Sequence, residues 1–251
     1  MKVIFVGAGP GDPELLTVRA KNILGSCSYC IYAGSLVSPQ VLSIIPESAS
    51  TFNSAELNLD EITELFKNAR EMNLDVVRLH SGDPSIYGAI REQMNELDKL
   101  GIDYEVVPGV SSFQAAAAAL KTELTAPEIS QTIVLTRSSG RTPMPAPEEL
   151  KKLAESRSTM CIFLSAHKIE SVVNELKDVY GPECPAAIVA KATWPEQQIV
   201  SGKLADIAQK AAKAGINKTA LVIVGKALSR DAQPSRLYAS DFTHEFRMAQ
   251  D

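Results

Sequence analysis

A repeated order of short apolar strand, glycine-containing loop and helix runs through residues 1–107, and it constrains the fold more than any other feature. Apolar, β-branched and aromatic residues mark the predicted strands, which lie at residues 3–6, 30–32, 51–52, 74–80 and 104–107. Apolar residues at helical spacing mark the predicted helices, which lie at residues 15–24, 59–72 and 86–100. Strands that alternate with helices of this length predict a parallel sheet with right-handed crossovers.

A second series of strands and helices begins after the Pro108-Gly109 pair. Its predicted strands lie at residues 131–136, 160–164, 186–191, 197–200 and 220–224, and its helices at residues 111–120, 148–155, 168–180 and 204–214. The later strands follow one another closely, which favours antiparallel pairs. The prediction is therefore an α/β fold with two α/β domains, residues 1–115 and 116–228, followed by a polar tail at residues 229–251.

Composition and charge narrow the functional classes. The chain has 251 residues, 45% of them hydrophobic, and a formal net charge of −5. No apolar run approaches the ~20 residues that a membrane-spanning helix needs. No cluster of Lys and Arg indicates a nucleic-acid-binding surface. The first residues lack the long apolar region of a signal peptide. Cys27 and Cys30 have CxxC spacing, but no second CxxC completes a zinc site. We expect a cytoplasmic globular protein that binds neither membrane, nucleic acid nor metal.

The first glycine-rich loop, residues 7–12, follows a strand and precedes a helix, as a dinucleotide-binding loop does. It departs from GxGxxG at the last position, where Asp12 stands, and Pro10 removes a backbone N–H that would otherwise face a phosphate. A nicotinamide or nucleotide-phosphate site is therefore disfavoured. A tight turn that needs glycine only for backbone reasons remains the simpler alternative.

Two further glycine-containing loops, residues 80–88 and 107–112, also follow predicted strands of the first domain. Because the carboxyl ends of parallel strands line one edge of a sheet, we expect all three loops to converge on one crevice. Asp83, in the second loop, could accept hydrogen bonds from a ribose or an ammonium group, or could cap the following helix. His80 is either a buried imidazole or a group with a direct chemical role.

Seven motifs in this order resemble the tetrapyrrole methylase family, namely GAGPGDPELLT, YAGSLVS, HSGDPSIYGA, VPGVSSFQAAAA, LTRSSGRTP, KATWP and THEFR. The resemblance covers about residues 1–247. Three of the motifs, YAGSLVS, LTRSSGRTP and KATWP, are similar to the branch of the family that methylates C-11 of precorrin-4 or cobalt-precorrin-4 in cobalamin biosynthesis. The nearest alternative is another corrin-ring or uroporphyrinogen methyltransferase of the same fold.

The resemblance implies a homodimeric enzyme that binds S-adenosylmethionine in a cleft between its two domains and leaves S-adenosylhomocysteine after transfer. The cofactor contacts that it implies are Pro10, Ser81, Gly82, Asp83, Ile86, Ser111, Ser112, Leu164, Ala192 and Ala220. The first loop is then expected to face the tetrapyrrole, and the implied substrate contacts in it are Gly9, Gly11 and Asp12. Some relatives carry an aspartate, proposed as a base, where this chain has Gly34, so no catalytic residue is assigned.

Two arginines in a loop after a predicted strand, Arg137 and Arg141, are candidates for binding the substrate carboxylates, because guanidinium groups pair with carboxylates through two hydrogen bonds. An ordinary solvated loop explains them equally well. No Ser/His/Asp, HExxH or paired-carboxylate motif is present. Two other classes are weaker hypotheses: an NAD-dependent oxidoreductase, against which Asp12 argues, and a tetrapyrrole carrier without catalytic activity.

Overall fold

The structure is a computed structural model that describes residues 1–140, 142–229, 242–243 and 245–248. The chain divides into two compact units. The first consists of Met1–Ala116 and a later segment, Lys191–Gln197, which we call the returning segment. The second consists of Ala117–Ala190 and Gln198–Asp251. In the described part of the chain, no helix is both long and apolar enough to cross a membrane.

The first unit contains a sheet of five strands, all parallel, in the order β3-β2-β4-β1-β5. The strands are β1 (Lys2–Gly7), β2 (Tyr29–Tyr32), β3 (Ser50–Asn53), β4 (Val76–His80) and β5 (Asp103–Val107). The helices are α1 (Val18–Gly25), α2 (Pro39–Leu42), α3 (Leu59–Glu71), α4 (Ile90–Leu100) and α5 (Ser112–Leu120), the last of which continues into the second unit. The predicted parallel sheet is confirmed.

The central strand β1 is buried on both faces of this sheet. Val3 and Phe5 point to one face, where they belong to a core cluster with residues of α3 and α4. Ile4 and Val6 point to the other face, where their cluster includes residues of α1 and α2. Alternate residues of a strand point to opposite faces, so this run of buried apolar side chains requires helices on both sides.

The second unit contains a five-stranded mixed sheet in the order β6-β7-β10-β8-β9. Its strands are β6 (Ile133–Arg137), β7 (Thr159–Phe163), β8 (Pro185–Ala190), β9 (Gln198–Lys203) and β10 (Ala220–Val224), and its helices are α6 (Leu150–Ala154), α7 (Ile169–Tyr180) and α8 (Ile207–Lys213). Strands β6 and β7 are parallel, and every other pair is antiparallel. The expected antiparallel pairs are confirmed.

The structure differs from the predicted helices at their amino ends. Helix α4 begins at Ile90 and not at residue 86, because Tyr87 and Ala89 have φ angles of 56° and 50°, in the left-handed region that an α-helix excludes. Helix α1 begins at Val18, where the Thr17 side chain caps it by accepting a hydrogen bond from Ala20 N (3.1 Å). The four-residue helix α2 is too short for apolar spacing to reveal.

Candidate active site

The three glycine-containing loops of the first unit meet at the carboxyl edge of the parallel sheet. β1 pairs with both β4 and β5, so the loops that follow these strands begin side by side. Ala8 N donates a hydrogen bond to His80 O (2.7 Å). Gly9 and Gly82 exchange two more, from Gly9 N to Gly82 O (3.2 Å) and from Gly82 N to Gly9 O (2.8 Å). The predicted convergence of the loops is confirmed.

Three glycines, Gly7, Gly82 and Gly109, bring the backbones of these loops into direct contact. A Cβ atom on Gly109 would lie 2.2 Å from Gly82 O and 2.9 Å from Gly7 Cα. A Cβ atom on Gly7 would lie 2.6 Å from Gly109 Cα. The neighbours in both cases are backbone atoms, which cannot rotate away as a side chain can. Space therefore requires glycine at positions 7 and 109, while Gly82 contributes its carbonyl oxygen to the contact.

Asp83 joins the second loop to the third. Its Oδ1 accepts hydrogen bonds from Ser85 N (2.8 Å) and from the Ser85 hydroxyl, and its Oδ2 accepts one from Gly109 N (2.9 Å). Burial raises the pKa of the Asp83 carboxyl, but the hydrogen bonds from Ser85 and Gly109 outweigh it and hold the pKa below its usual value. The half-buried carboxylate is therefore ionised at neutral pH, and it cross-links two loops.

We expect Asp83→Asn to lower the free energy of unfolding by about 1.5–3 kcal/mol, the value of hydrogen bonds to a charged group. An amide has one acceptor oxygen, so it cannot serve both Ser85 and Gly109. The contribution is present above pH 3.8, the ordinary pKa of the group, and is lost as the pH falls below that value. Urea denaturation at pH 7 measures the loss.

Asp103→Asn, which removes an exposed carboxylate of the same unit, is the control and should leave the free energy of unfolding unchanged. Equal losses in the two variants would contradict the role of Asp83 as a cross-link between the loops.

The first turn of α5 lies against Gly82. A Cβ atom on Gly82 would be 3.6 Å from Ser111 Cα and 3.7 Å from Ser112 N. Ser111 is buried, and its backbone N donates to Gln114 Oε1 (2.9 Å). Backbone N–H groups in the first turn of a helix have no acceptor within the helix, so they favour an anionic group nearby. Of the other predicted cofactor contacts in this region, Ser81 and Ile86 are half-buried.

The first loop is held by the returning segment. Trp194 Nε1 donates to Pro10 O (2.8 Å), and Asp12 N donates to Thr193 Oγ1 (3.0 Å). A Cβ atom on Gly11 would lie 2.2 Å from the indole ring of Trp194. The sequence places Thr193 and Trp194 within the KATWP motif but does not pair either residue with the first loop. No local signal could have paired residues that are 184 and 181 positions apart.

The predicted substrate contacts of this loop differ in exposure. Gly9 and Gly11 are buried, whereas Asp12 is half-buried and lines an open groove of about 570 Å³ with Trp194 and Thr193. Ala192, which the resemblance implies as a cofactor contact, is buried. It lies in the returning segment, which belongs to the first unit.

His80 ends β4 with its side chain 3% exposed, and its Nε2 atom has no hydrogen-bond partner. Burial, followed by the positive charge of Arg78, lowers the pKa of His80 to about 3. Arg78 is itself buried, and its guanidinium donates to Gln93 Oε1 (2.9 Å) and Ile31 O (3.3 Å). Burial lowers the pKa of Arg78 to about 10. At neutral pH, His80 is therefore a neutral imidazole beside a charged guanidinium.

Gly34, at the position where the resemblance implies an aspartate in some family members, has little room for a side chain. Gly34 is buried with a φ angle of 56°, and a Cβ atom on it would lie 2.6 Å from Ala55 Cβ and 3.2 Å from Asn53 Oδ1. The close contact with Ala55, together with the left-handed backbone, therefore disfavours a side chain at this position in this chain.

In the second unit, Arg137 stands at the carboxyl end of β6. Its guanidinium donates to Ser138 O (3.2 Å), Thr142 O (3.0 Å) and Pro143 O (3.0 Å), so it orders the loop that follows it. A guanidinium has five N–H groups. Three of them make these hydrogen bonds, so two remain for another acceptor. Arg141, the second arginine of the prediction, lies outside the described residues.

The parallel pair β6 and β7 brings Ser138 and Ser165 together at its carboxyl end. Ser165 Oγ accepts a hydrogen bond from Ser138 N (2.8 Å) and donates one to Phe163 O (2.6 Å). Leu164, a predicted cofactor contact, has a φ angle of 53° and is 61% exposed. An exposed leucine in the left-handed region is an outlier of the kind that clusters at binding sites. Ala220, another predicted contact, begins β10.

The chain is similar over most of its length to known proteins of one family. The family model of the tetrapyrrole (corrin/porphyrin) methylases matches residues 2–208. A cobalt-precorrin-4 C(11)-methyltransferase of Methanocaldococcus jannaschii is 52% identical over 248 residues, covering 98% of this chain and 96% of the relative. A precorrin-4 C(11)-methyltransferase of Sinorhizobium sp is 47% identical over 249 residues, covering 98% of each.

Solved structures show the same likeness. A cobalt precorrin-4 methyltransferase superposes with a TM-score of 0.88 at 40% identity, covering 91% of this chain and 96% of the other. A uroporphyrin-III C-methyltransferase of Thermus thermophilus, solved in complex with S-adenosyl homocysteine, has a TM-score of 0.77 at 28% identity, covering 93% of this chain and 96% of the other.

Proposed function

Because the chain belongs to the tetrapyrrole (corrin/porphyrin) methylase family, we propose that it transfers a methyl group from S-adenosylmethionine to C-11 of precorrin-4 or cobalt-precorrin-4 in cobalamin biosynthesis. The observation that carries the proposal is 52% identity, over nearly the whole of both chains, to a relative that bears this activity as its name. Relatives named for the cobalt-bearing and the cobalt-free substrate are similarly close, so the proposal includes both substrates.

The residues at the junction of the three loops fit the charged parts of S-adenosylmethionine. This cofactor carries a carboxylate, an ammonium group and a positively charged sulfonium. The first turn of α5 offers backbone N–H groups that suit the carboxylate, and Gly82, without a side chain, leaves that turn open to approach. The ionised Asp83 suits a cation, because Oδ2 has a single partner and retains acceptor capacity.

The proposed cofactor contacts are therefore those that the resemblance implies, with the strongest support at Gly82, Asp83, Ser111 and Ser112. When bound, S-adenosylmethionine supplies a methyl group that is already activated by the sulfonium. The task of the protein is to hold that methyl group in line with the ring carbon and to exclude water. Alignment of this kind supplies about 7–11 kcal/mol in favourable cases, which is why a rigid loop junction matters.

On the substrate side, Asp12 and Arg137 are the proposed contacts that retain a free polar group. Asp12 lines the open groove, and Arg137 keeps two N–H groups beyond those that order its loop. Gly9 and Gly11 act by shaping the backbone that carries Asp12. We assign no side chain as base, because Gly34 carries no side chain and the Nε2 atom of His80 is buried.

Incubation of the purified protein with 13C-methyl-labelled S-adenosylmethionine and the C-17-methylated precursor tests the proposal. We expect label in the product, with a carbon NMR signal that reports a methyl group on C-11. The cobalt-free and cobalt-bearing substrates are assayed in parallel, and the faster one identifies the natural acceptor. Absence of label from both tetrapyrroles overturns the proposal. Label at another ring carbon identifies a different methyltransferase of the same fold.

We also propose that the protein works in the cytoplasm as a homodimer, which its resemblance to the family implies. Sedimentation equilibrium of the full chain distinguishes a mass of about 27 kDa for a monomer from twice that mass for a dimer.

A further inference from the structure

Two neighbouring side chains of the returning segment hold the peptide groups on either side of Gly11. Trp194 Nε1 donates to Pro10 O (2.8 Å), and Thr193 Oγ1 accepts from Asp12 N (3.0 Å). The indole ring also fills the space where a Cβ atom of Gly11 would be. The two hydrogen bonds and the ring together fix the position and the orientation of this stretch of backbone.

Contacts among its own residues stabilise the conformation of the returning segment. Trp194 N donates to Lys191 O (3.0 Å), and Thr193 N donates to Gln197 Oε1 (2.8 Å). Lys191 Nζ lies 5.3 Å from the centre of the indole ring, within the range of a cation–π interaction. These contacts within the returning segment hold Trp194 and Thr193 in the positions from which they contact the first loop.

The backbone of the returning segment is strained. Thr193 has a φ angle of 70° and Lys191 one of 46°. A positive φ angle is a genuine outlier for a β-branched residue such as threonine. Such conformations persist only where surrounding contacts impose them, and they cluster at sites that bind ligands. The strain is therefore explained if the conformation of this segment serves a binding site.

We propose that Trp194 and Thr193 are positioning residues for cofactor binding. They fix the loop that carries Pro10 and the segment that carries Ala192 against each other, so that both proposed contacts are in place before the cofactor arrives. The inference rests on the proposed function, because Pro10 and Ala192 are cofactor contacts only within it. Preorganisation of this kind increases affinity, because binding no longer has to order the chain.

Calorimetric titration of the full-length protein with S-adenosylhomocysteine tests the inference. Trp194→Phe keeps a ring over Gly11 and removes the N–H donor, and Thr193→Val keeps the shape and removes the acceptor. We expect each to weaken binding about tenfold, the equivalent of one lost neutral hydrogen bond. Thr193→Ser restores the hydroxyl and should bind like the wild type.

Tyr180→Phe is the matched control, because the Tyr180 hydroxyl likewise donates to a backbone carbonyl, Ser158 O, in the second unit. It should lose a similar amount of thermal stability and keep full affinity. Unchanged affinity in Trp194→Phe and Thr193→Val overturns the inference, and so does a Thr193→Ser variant as weak as Thr193→Val. A wild-type protein that does not bind S-adenosylhomocysteine overturns the proposed function instead.

Discussion

Gly109→Ala is expected to destabilise the protein by about 3 kcal/mol, the upper end of what overpacking usually costs. The new methyl group would lie 2.2 Å from Gly82 O and 2.9 Å from Gly7 Cα. The backbone of at least one of the three loops would have to move, and we expect this movement to weaken the hydrogen bond from Gly109 N to Asp83 Oδ2 as well. We expect the affinity for S-adenosylhomocysteine to fall with the stability, because the same junction forms the proposed site.

Urea denaturation and calorimetric titration measure the two effects. Gly25→Ala is the control, since Gly25 is the last residue of α1 and a Cβ atom on it meets nothing within 4 Å. That variant should be as stable as the wild type or slightly more so, by up to about 1 kcal/mol, because alanine favours a helix over glycine. A Gly109→Ala protein with the stability of Gly25→Ala would show that the loops have room to separate.

The buried imidazole of His80 should make the protein sensitive to acid. The pKa of His80 is about 3 in the folded chain, against an ordinary value of 6.5 that the unfolded chain recovers. Between these values the unfolded chain binds a proton that the folded chain does not, so stability falls as the pH drops from 6.5 towards 3. The slope from this group alone is about 1.4 kcal/mol per pH unit, and above pH 6.5 it contributes nothing.

Comparison of the wild type with His80→Leu isolates this effect from the titration of the carboxylates. Between pH 7 and pH 5, the wild type should lose about 2 kcal/mol more of its free energy of unfolding than the variant. We choose leucine because it cannot titrate and because the Nε2 atom of His80 has no hydrogen-bond partner to lose. His167→Gln, at an exposed histidine, is the control and should keep the wild-type slope. Parallel slopes for the wild type and His80→Leu would refute the assignment.

Local pattern in the sequence predicts the fold well because the strands of the first unit are apolar and alternate with amphipathic helices. It also predicts that the three glycine-containing loops meet, since parallel strands must end at one edge of a sheet. For Asp83, the sequence left two alternatives open, a contact with a ligand and a cap on the following helix. Whether a short acidic side chain faces a ligand or a backbone N–H depends on the neighbouring loop, and the structure brings Gly109 N to it.

The sequence by itself determined the order of the elements, the parallel sheet and the place of the loop junction, because these depend on residues close together in the chain. Tertiary structure alone decided what holds the first glycine-rich loop and what lies beside Gly34. It brought Trp194 and Thr193 from more than 180 positions away, and it left no space beside Gly34. Such contacts depend on how distant parts of the chain pack, and neither apolar spacing nor turn chemistry encodes that information.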